Sequence, residues 1–311
     1  MIGPLPTVPV HAIDPQPDAP QWLVRDLWSA AAVGVLGGSP KVGKSWLGLD
    51  LAVSVASGTP ALGRFPVETT GPALVYLAED ALPRVRDRVA QLCCHRGIKL
   101  SRLDLHVVTA DRLRLDTERD QSALHQTVAR IRPVLLLLDP LVRLHSLDEN
   151  SASDISSLLG FLRAINRRHQ LALILVHHMA KRSRRNLGQS LRGSSDLHAW
   201  TDSACYLLRR PDDRLLLTVE HRAAPAPEPL LLRLSGGADQ PLSLIVDRAA
   251  TVPPPLAEAV RAALRSAGQP LSRTVLRQRL RVNNARLGLA LQSLEQRGLA
   301  VRSPSGWHLP A

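Results

Sequence analysis

Between residues 31 and 246 the chain alternates two kinds of apolar pattern. The first is a short, uninterrupted run, seen at 31–36 before Gly37-Gly38 and again at 73–77, 105–108, 133–138 and 171–176. Runs of this length without polar alternation predict strands buried on both faces. The second is a longer stretch with apolar residues at helical spacing, at 45–57, 82–96, 118–131 and 154–169. The last carries Ile155, Leu158, Leu159, Leu162 and Ile165 on one face. Gly58-Thr59-Pro60 stops the first of these helices. Strands alternating with helices predict an α/β fold with a mostly parallel sheet and helices on both faces. Further strands are expected at 204–209 and 215–220, followed by an antiparallel pair at 230–234 and 242–246 across Ser235-Gly236-Gly237.

The two ends read differently. Residues 1–20 contain six prolines and no apolar period, which predicts an extended arm suited to lying on a neighbouring subunit. Trp22-Leu23-Val24 and Leu27-Trp28 then form a short element against the core. Thr251-Val252-Pro253-Pro254-Pro255 is a stiff linker. Beyond it come helical patterns at 256–266, 272–280 and 283–297 and a hairpin over 299–309, the order of a winged helix, with Ser272 as an N-cap. The expected organisation is therefore an arm at 1–20, an α/β domain at 21–250, a linker at 251–255 and a winged-helix domain at 256–311.

Aromatic residues make up 3% of the chain, so the core is aliphatic, which suits helices on a parallel sheet. The formal charge of +12 points to a polyanionic partner such as nucleic acid. Nine arginines against Glu258 and Glu295 leave a net +7 over 256–311, and a second basic run is Lys181-Arg182-Ser183-Arg184-Arg185. Cys93, Cys94 and Cys205 suit neither a disulfide framework nor a zinc site, which predicts a reducing, cytoplasmic setting. With no 18-residue apolar stretch and no signal-like start, neither secretion nor a membrane partner is expected.

The chemistry starts where the first strand ends. Gly38-Ser39-Pro40-Lys41-Val42-Gly43-Lys44-Ser45 satisfies G-x-x-x-x-G-K-[ST], follows an apolar strand and opens a helix starting near Lys44, with Trp46 in its first turn counted among the nucleotide-binding residues. Glycines let such a loop point successive amides at phosphate oxygens, and the helix N-terminus adds its positive end. ATP or GTP binding follows, with Lys44 reaching the β/γ-phosphates and the Ser45 hydroxyl ligating Mg²⁺. Asp139, at the end of another buried strand, is placed to hold Mg²⁺ beside Ser45. Glu79, closing the strand at 73–77, is the candidate base for the attacking water; Asp80, its competitor, reads as a structural acid of the next helix. His177 and His178 are adjacent on a strand end and face opposite ways. One can sense a γ-phosphate while the other packs, and spacing leaves open which.

Five blocks in this order resemble the RecA/DnaB-type ATPase superfamily, and most of all plasmid RepA-type hexameric replicative helicases. They are residues 37–45, Tyr76-Leu77-Ala78-Glu79-Asp80, Leu138-Asp139-Pro140-Leu141, Val176-His177-His178 and Arg192-Gly193-Ser194-Ser195. The resemblance implies a homo-oligomeric ring, a hexamer or its relative, with ATP at each subunit boundary. It implies Glu79 as base, Asp139 as the second metal residue and His178 as γ-phosphate sensor. It places the loop at about 180–190 in the ring channel, where Lys181, Arg182, Arg184 and Arg185 meet single-stranded DNA; a solvated basic loop is the alternative. Arg222 matches the arginine finger that reaches a neighbour's γ-phosphate, whereas Glu220 stands where the family has a lysine. The tail lies outside this resemblance. As a winged helix it would present Asn283, Asn284 and Arg286 to a duplex, or dock a protein instead.

These readings predict a DNA-translocating ATPase, a replicative helicase of a plasmid, phage or integrated element. A regulatory DNA-binding ATPase, whose nucleotide state controls assembly and whose winged helix binds duplex without unwinding, is the alternative. A small-molecule kinase shares the loop but leaves the tail unexplained.

Overall fold

A strand that is covered on both sides has no solvent face to keep polar, and the uninterrupted runs become the middle of one sheet. The computed structural model describes residues 6–13, 21–147, 152–179, 195–237, 240–247, 256–280, 282 and 284–310, with the side chains of 152–154, 195, 285 and 286 outside that description. The chain separates into two units, Met1–Ala250 and Thr251–Ala311.

In the first unit an antiparallel pair, β1 (Trp22–Val24) and β2 (Trp28–Ser29), precedes β3 (Val33–Gly38) and α1 (Lys44–Ser57). Then follow β4 (Ala73–Leu77), α2 (Leu82–His95), β5 (Leu105–Val107), α3 (Glu118–Ile131), β6 (Leu135–Asp139), α4 (Ala152–His169) and β7 (Ala172–His178). The unit closes with α5 (Ser195–Trp200), β8 (Ser203–Arg209), β9 (Leu215–His221), β10 (Leu230–Gly237) and β11 (Gln240–Val246). Nine strands form one sheet in the order β11-β10-β9-β8-β3-β7-β6-β4-β5. The pairs from β8 through β5 are parallel; β8–β9, β9–β10 and β10–β11 are antiparallel. The expected parallel core is present and includes β8, and β9, β10 and β11 extend it as an antiparallel wing.

Alternate side chains along each central strand enter different cores. Val75, Leu135, Leu137, Ile174 and Val176 join α1 and α2 on one face, whereas Leu74, Tyr76, Leu136, Leu138, Leu173 and Leu175 join α3 and α4 on the other. The five apolar positions expected on α4, from Ile155 to Ile165, are all buried there. Trp28, in β2, is fully buried. β3 is central because it can approach β8 very closely: a Cβ on Gly34 would sit 1.7 Å from the Ser203 carbonyl oxygen.

Residues 6–13 are exposed and include a 3₁₀ turn at Val10–Ala12; the rest of the proline-rich arm and the linker at 251–255 lie outside the described residues. The second unit has α6 (Leu256–Ala267), α7 (Arg273–Leu280), α8 (Asn284–Gln296) and a hairpin of β12 (Val301–Ser303) and β13 (Gly306–His308). Its own core gathers Val260, Leu264, Leu276, Leu287, Leu291 and Leu294. Ser272 caps α7 as expected, accepting from the Val275 amide at 3.3 Å. Leu271 and Trp307 exchange backbone hydrogen bonds of 2.9 Å, adding a third edge to the hairpin.

Candidate active site

Parallel strands share a direction, so β3, β4, β6 and β7 all release their chains at one edge of the sheet, and the expected chemistry collects there. β3 ends at Gly38 and α1 starts at Lys44. Between them Lys41 has φ 61° and Gly43 has φ 99°, left-handed turns that wind the loop back over the helix start. Gly43 gives α1 no side-chain cap, so the first amides of the helix are left to a ligand. Val42 is buried and anchors the loop, while Ser39, Pro40 and Lys41 are exposed. Arg209, at the end of β8, steadies the loop by donating to the Lys41 carbonyl at 3.2 Å.

Lys44 is buried and folds back on the loop. Its Nζ donates to the Gly38 and Ser39 carbonyls at 3.0 and 2.9 Å and lies 3.3 Å from His178 Nδ1. Burial lowers its pKa, against the charges of Asp139 and Glu79, which raise it. Asp139 is 7% exposed. Burial pushes its carboxyl up to about 6, opposed by a hydrogen bond from Ser45 and by the Lys44 charge, with Asp80 and Glu79 adding to the rise. Its Oδ2 is buried without a hydrogen-bond partner. A buried, unsatisfied carboxylate oxygen beside the Ser45 hydroxyl is the donor pair that Mg²⁺ takes when phosphates and water complete its shell. The residues therefore fit the ion. Among the described residues no group of three or more His, Cys, Asp or Glu could hold a metal without such help.

Glu79 follows β4 and is exposed at the rim, its Oε1 accepting from Arg143 Nε at 2.8 Å. Asp80 is occupied by Arg88, at 2.6 Å, and that guanidinium also lies over the Trp46 ring, 5.8 Å from its centroid. Lys41, Gly43, Lys44, Ser45, Trp46, Glu79, Asp80, Asp139 and His178 line one cleft of about 400 Å³, large enough for a nucleotide. His177 is buried and His178 partly exposed toward the cleft, as opposite strand faces require. Burial thus distinguishes two histidines that spacing left equivalent.

Arg222 lies elsewhere. It follows β9, whose His221 pairs with Ser203, and Ser203 in turn pairs with Gly34 at the start of β3. Four residues of strand, about 13 Å, separate that end of β3 from Gly38, and Arg222 is at the edge opposite Lys44. There Asp202 pairs with it at 3.2 Å and also binds Arg163 and the Val33 amide, the latter at 3.3 Å. Glu220 Oε2 is 3.4 Å from His198 Nε2. Lys181, Arg182, Arg184, Arg185 and Asn283 lie outside the described residues. Asn284 is exposed at the start of α8, and of Arg286 only the helical backbone is described.

Arg88, Arg143 and Arg209 are neighbours of the cleft that the sequence did not signal, as Asp202 is of Arg222. Each is a charged residue in a charged chain, given meaning by its partner. No helix among the described residues is long and apolar enough to cross a membrane.

The model of the AAA domain family matches residues 3–184, a span holding the loop, Glu79, Asp139 and both histidines. Among solved structures, that of the RadB recombinase superposes with a TM-score of 0.50 at 18% identity, over 69% of this chain and 90% of that one. At that identity the likeness is one of fold: an α/β domain with a mostly parallel, RecA-like core.

Proposed function

The chain belongs to the AAA domain family, and we propose on that premise that this RecA-like P-loop ATPase is a ring-forming motor on DNA, a RepA-like replicative helicase of a plasmid, phage or integrated element. One observation carries the reading. Among the described residues the cleft holds phosphate, metal and base residues from four strand ends, and its lining arginine, Arg88, is paired with Asp80, while Arg222 stands at the far edge of the sheet, where a neighbouring copy could receive it.

In this mechanism the loop amides and Lys44 hold the β/γ-phosphates, Lys44 exchanging the Gly38 and Ser39 carbonyls for phosphate oxygens. Mg²⁺, held by Ser45 and Asp139, would supply charge neutralisation at the phosphates. Glu79 takes a proton from the attacking water. His178, already within 3.3 Å of the Lys44 ammonium, senses the γ-phosphate through that contact. Arg222 of a neighbour stabilises the charge that develops on the transferred phosphoryl group. Lys181, Arg182, Arg184 and Arg185 follow β7 and would track single-stranded DNA through its backbone. Three free cysteines agree with a cytoplasmic setting.

The reading is tested by mass determination with and without an ATP analogue and single-stranded DNA, together with unwinding of a forked duplex. A protein that stays monomeric throughout removes the trans arginine. Unwinding by Lys44→Ala equal to wild type removes the motor.

A second reading has its own support. Glu220 replaces the lysine of the resembling helicases, and the basic second unit has the three helices and hairpin of a winged helix. A regulatory ATPase that binds duplex through Asn283, Asn284 and Arg286 would hydrolyse slowly and unwind nothing. Deletion of 251–311 would then abolish sequence-specific duplex binding, whereas a helicase would lose less.

A further inference from the structure

We propose that His125 and His169 form a two-histidine site for a divalent metal of the zinc class, a clip between α3 and α4 at the edge of the sheet opposite the nucleotide cleft. It is separate from the Ser45–Asp139 pair and does not depend on the reaction assigned to the cleft.

The two rings come from different helices, and each helix is anchored beside its histidine. On α3, His125 lies between Leu124 and Val128, both buried; on α4, His169 is the last residue, after buried Ile165 and Asn166. Asn166 fixes that end of α4 by donating to the Ala31 and Leu171 carbonyls at 2.7 and 2.6 Å. The rings meet edge-on, with centroids 5.0 Å apart and planes at 63°. Their Nε2 atoms are 3.4 Å apart. Two imidazole nitrogens on one tetrahedral ion, each about 2.0–2.1 Å from it, stand roughly 3.3–3.4 Å from one another. The backbone therefore already holds the pair at the span of a chelate, and side-chain rotation alone would aim both lone pairs at one ion.

The donor set selects the ion. Among the described residues no third His, Cys, Asp or Glu completes a metal-holding group with the pair. Mg²⁺ and Ca²⁺, which take oxygen ligands, find no carboxylate here, whereas imidazole suits zinc and its neighbours. Burial, the second ring and the Arg168 charge hold the His169 imidazole below its usual pKa, so at pH 7 it is neutral with a lone pair to give. Both rings are half-buried, which leaves the remaining coordination positions open to water. The Arg168 charge also opposes a cation, which makes the clip weak and exchangeable. His169 precedes β7, and the length of that strand from Ala172 to His178, about 20 Å, separates the clip from the cleft that His178 lines.

The test is Zn²⁺ binding to the full chain by calorimetry and thermal unfolding, with Mg²⁺ and a non-hydrolysable ATP analogue saturating the cleft. Wild type is expected to take up one Zn²⁺, with Tm raised by roughly 3–6 °C at zinc about ten times its Kd. His125→Gln and His169→Gln should each weaken that binding at least about ten-fold and lose the rise in Tm, since even outer partners of a metal ligand are worth that much. Co²⁺ on wild type should give the strong visible bands of a tetrahedral ion and be displaced by Zn²⁺. Zinc binding unchanged in either variant, or uptake by wild type no greater than by the double variant, overturns the proposal and leaves the pair as a hydrogen bond between rings. The weak bands of an octahedral cobalt ion also overturn it, because the 3.4 Å span is that of a tetrahedral chelate. Because the cobalt spectrum is read on wild type, it decides the matter even where a glutamine variant does not fold.

Discussion

Replacing Asp139 with Asn should make the nucleotide-free protein more stable while destroying its metal-dependent activity. In the folded chain the carboxyl sits at about 6 rather than 3.8, with burial the largest cause. The fold therefore favours the protonated form. Below about pH 3.8 both folded and unfolded chains carry that proton and no cost arises. Between 3.8 and 6 the folded chain binds more protons than the unfolded one, so stability falls as pH rises. Above 6 the ionised carboxylate is present in both states, and the full cost applies. The gap from 3.8 to about 6, at about 1.4 kcal/mol per pH unit, amounts to roughly 3 kcal/mol. Asn keeps an oxygen for the Ser45 hydroxyl and carries no charge, so Asp139→Asn should recover about 2–3 kcal/mol at pH 7.5. Roughly half of that gain should remain near pH 5. The assay is urea unfolding of both proteins in EDTA without nucleotide, at pH 5 and 7.5, followed by tryptophan fluorescence. A variant no more stable than wild type at pH 7.5, or a gain equal at both pH values, would refute the claim that buried charge is what strains the site.

Other tests concern the scaffold and the oligomer. Arg96 is 7% exposed and pairs with Asp50, which is fully buried and also accepts from the Leu62 amide at 2.8 Å. Arg96→Met should cost about 3–5 kcal/mol by urea unfolding, and Asp50→Leu/Arg96→Met should recover most of it, because an unpaired buried charge costs more than none. A single-variant loss below about 1 kcal/mol would contradict this. Gly34→Ala places a Cβ 1.7 Å from the Ser203 carbonyl and should abolish soluble protein. Gly160→Ala, on α4 with nothing within 4 Å, should be neutral or stabilise by up to about 1 kcal/mol; equal soluble yields of the two would sink the close-packing argument. Arg222→Ala should keep nucleotide binding yet lower kcat about a thousand-fold or more, and should depress the rate of wild type when mixed with it. A kcat within ten-fold of wild type would leave Arg222 as a partner of Asp202 only.

The sequence carried those features that depend on local pattern. Runs such as 73–77 and 133–138 are legible because a strand covered on both faces leaves an unbroken apolar signature, and the loop at 38–45 because its backbone needs Gly43. Partner choice was not legible. β3 lies between β7 and β8, whose residues come more than 130 positions later, and nothing in an apolar run names its neighbours. The turn of direction between β8 and β9 likewise rests on the short 210–214 connection, too short for a crossover helix, whose meaning appears only once both strands are placed. In the site, Asp139 and Glu79 were visible as acids closing apolar strands. Arg143, Arg88 and Asp202 were not, because a charged side chain on a polar stretch reads as surface until its partner is known.

The place of β3 also sets a schedule for synthesis. Its parallel partners pair Gly38 with His178 on one side and Leu207 on the other. A ribosome adding roughly 5–20 residues per second needs about 10–30 s to travel from Gly38 to Arg209. Until β7 is made the phosphate loop has no neighbouring strand to stand on, and until β8 is made the apolar strand before it keeps at least one open edge. A chain interrupted before β8 therefore offers that edge to whatever strand it meets next.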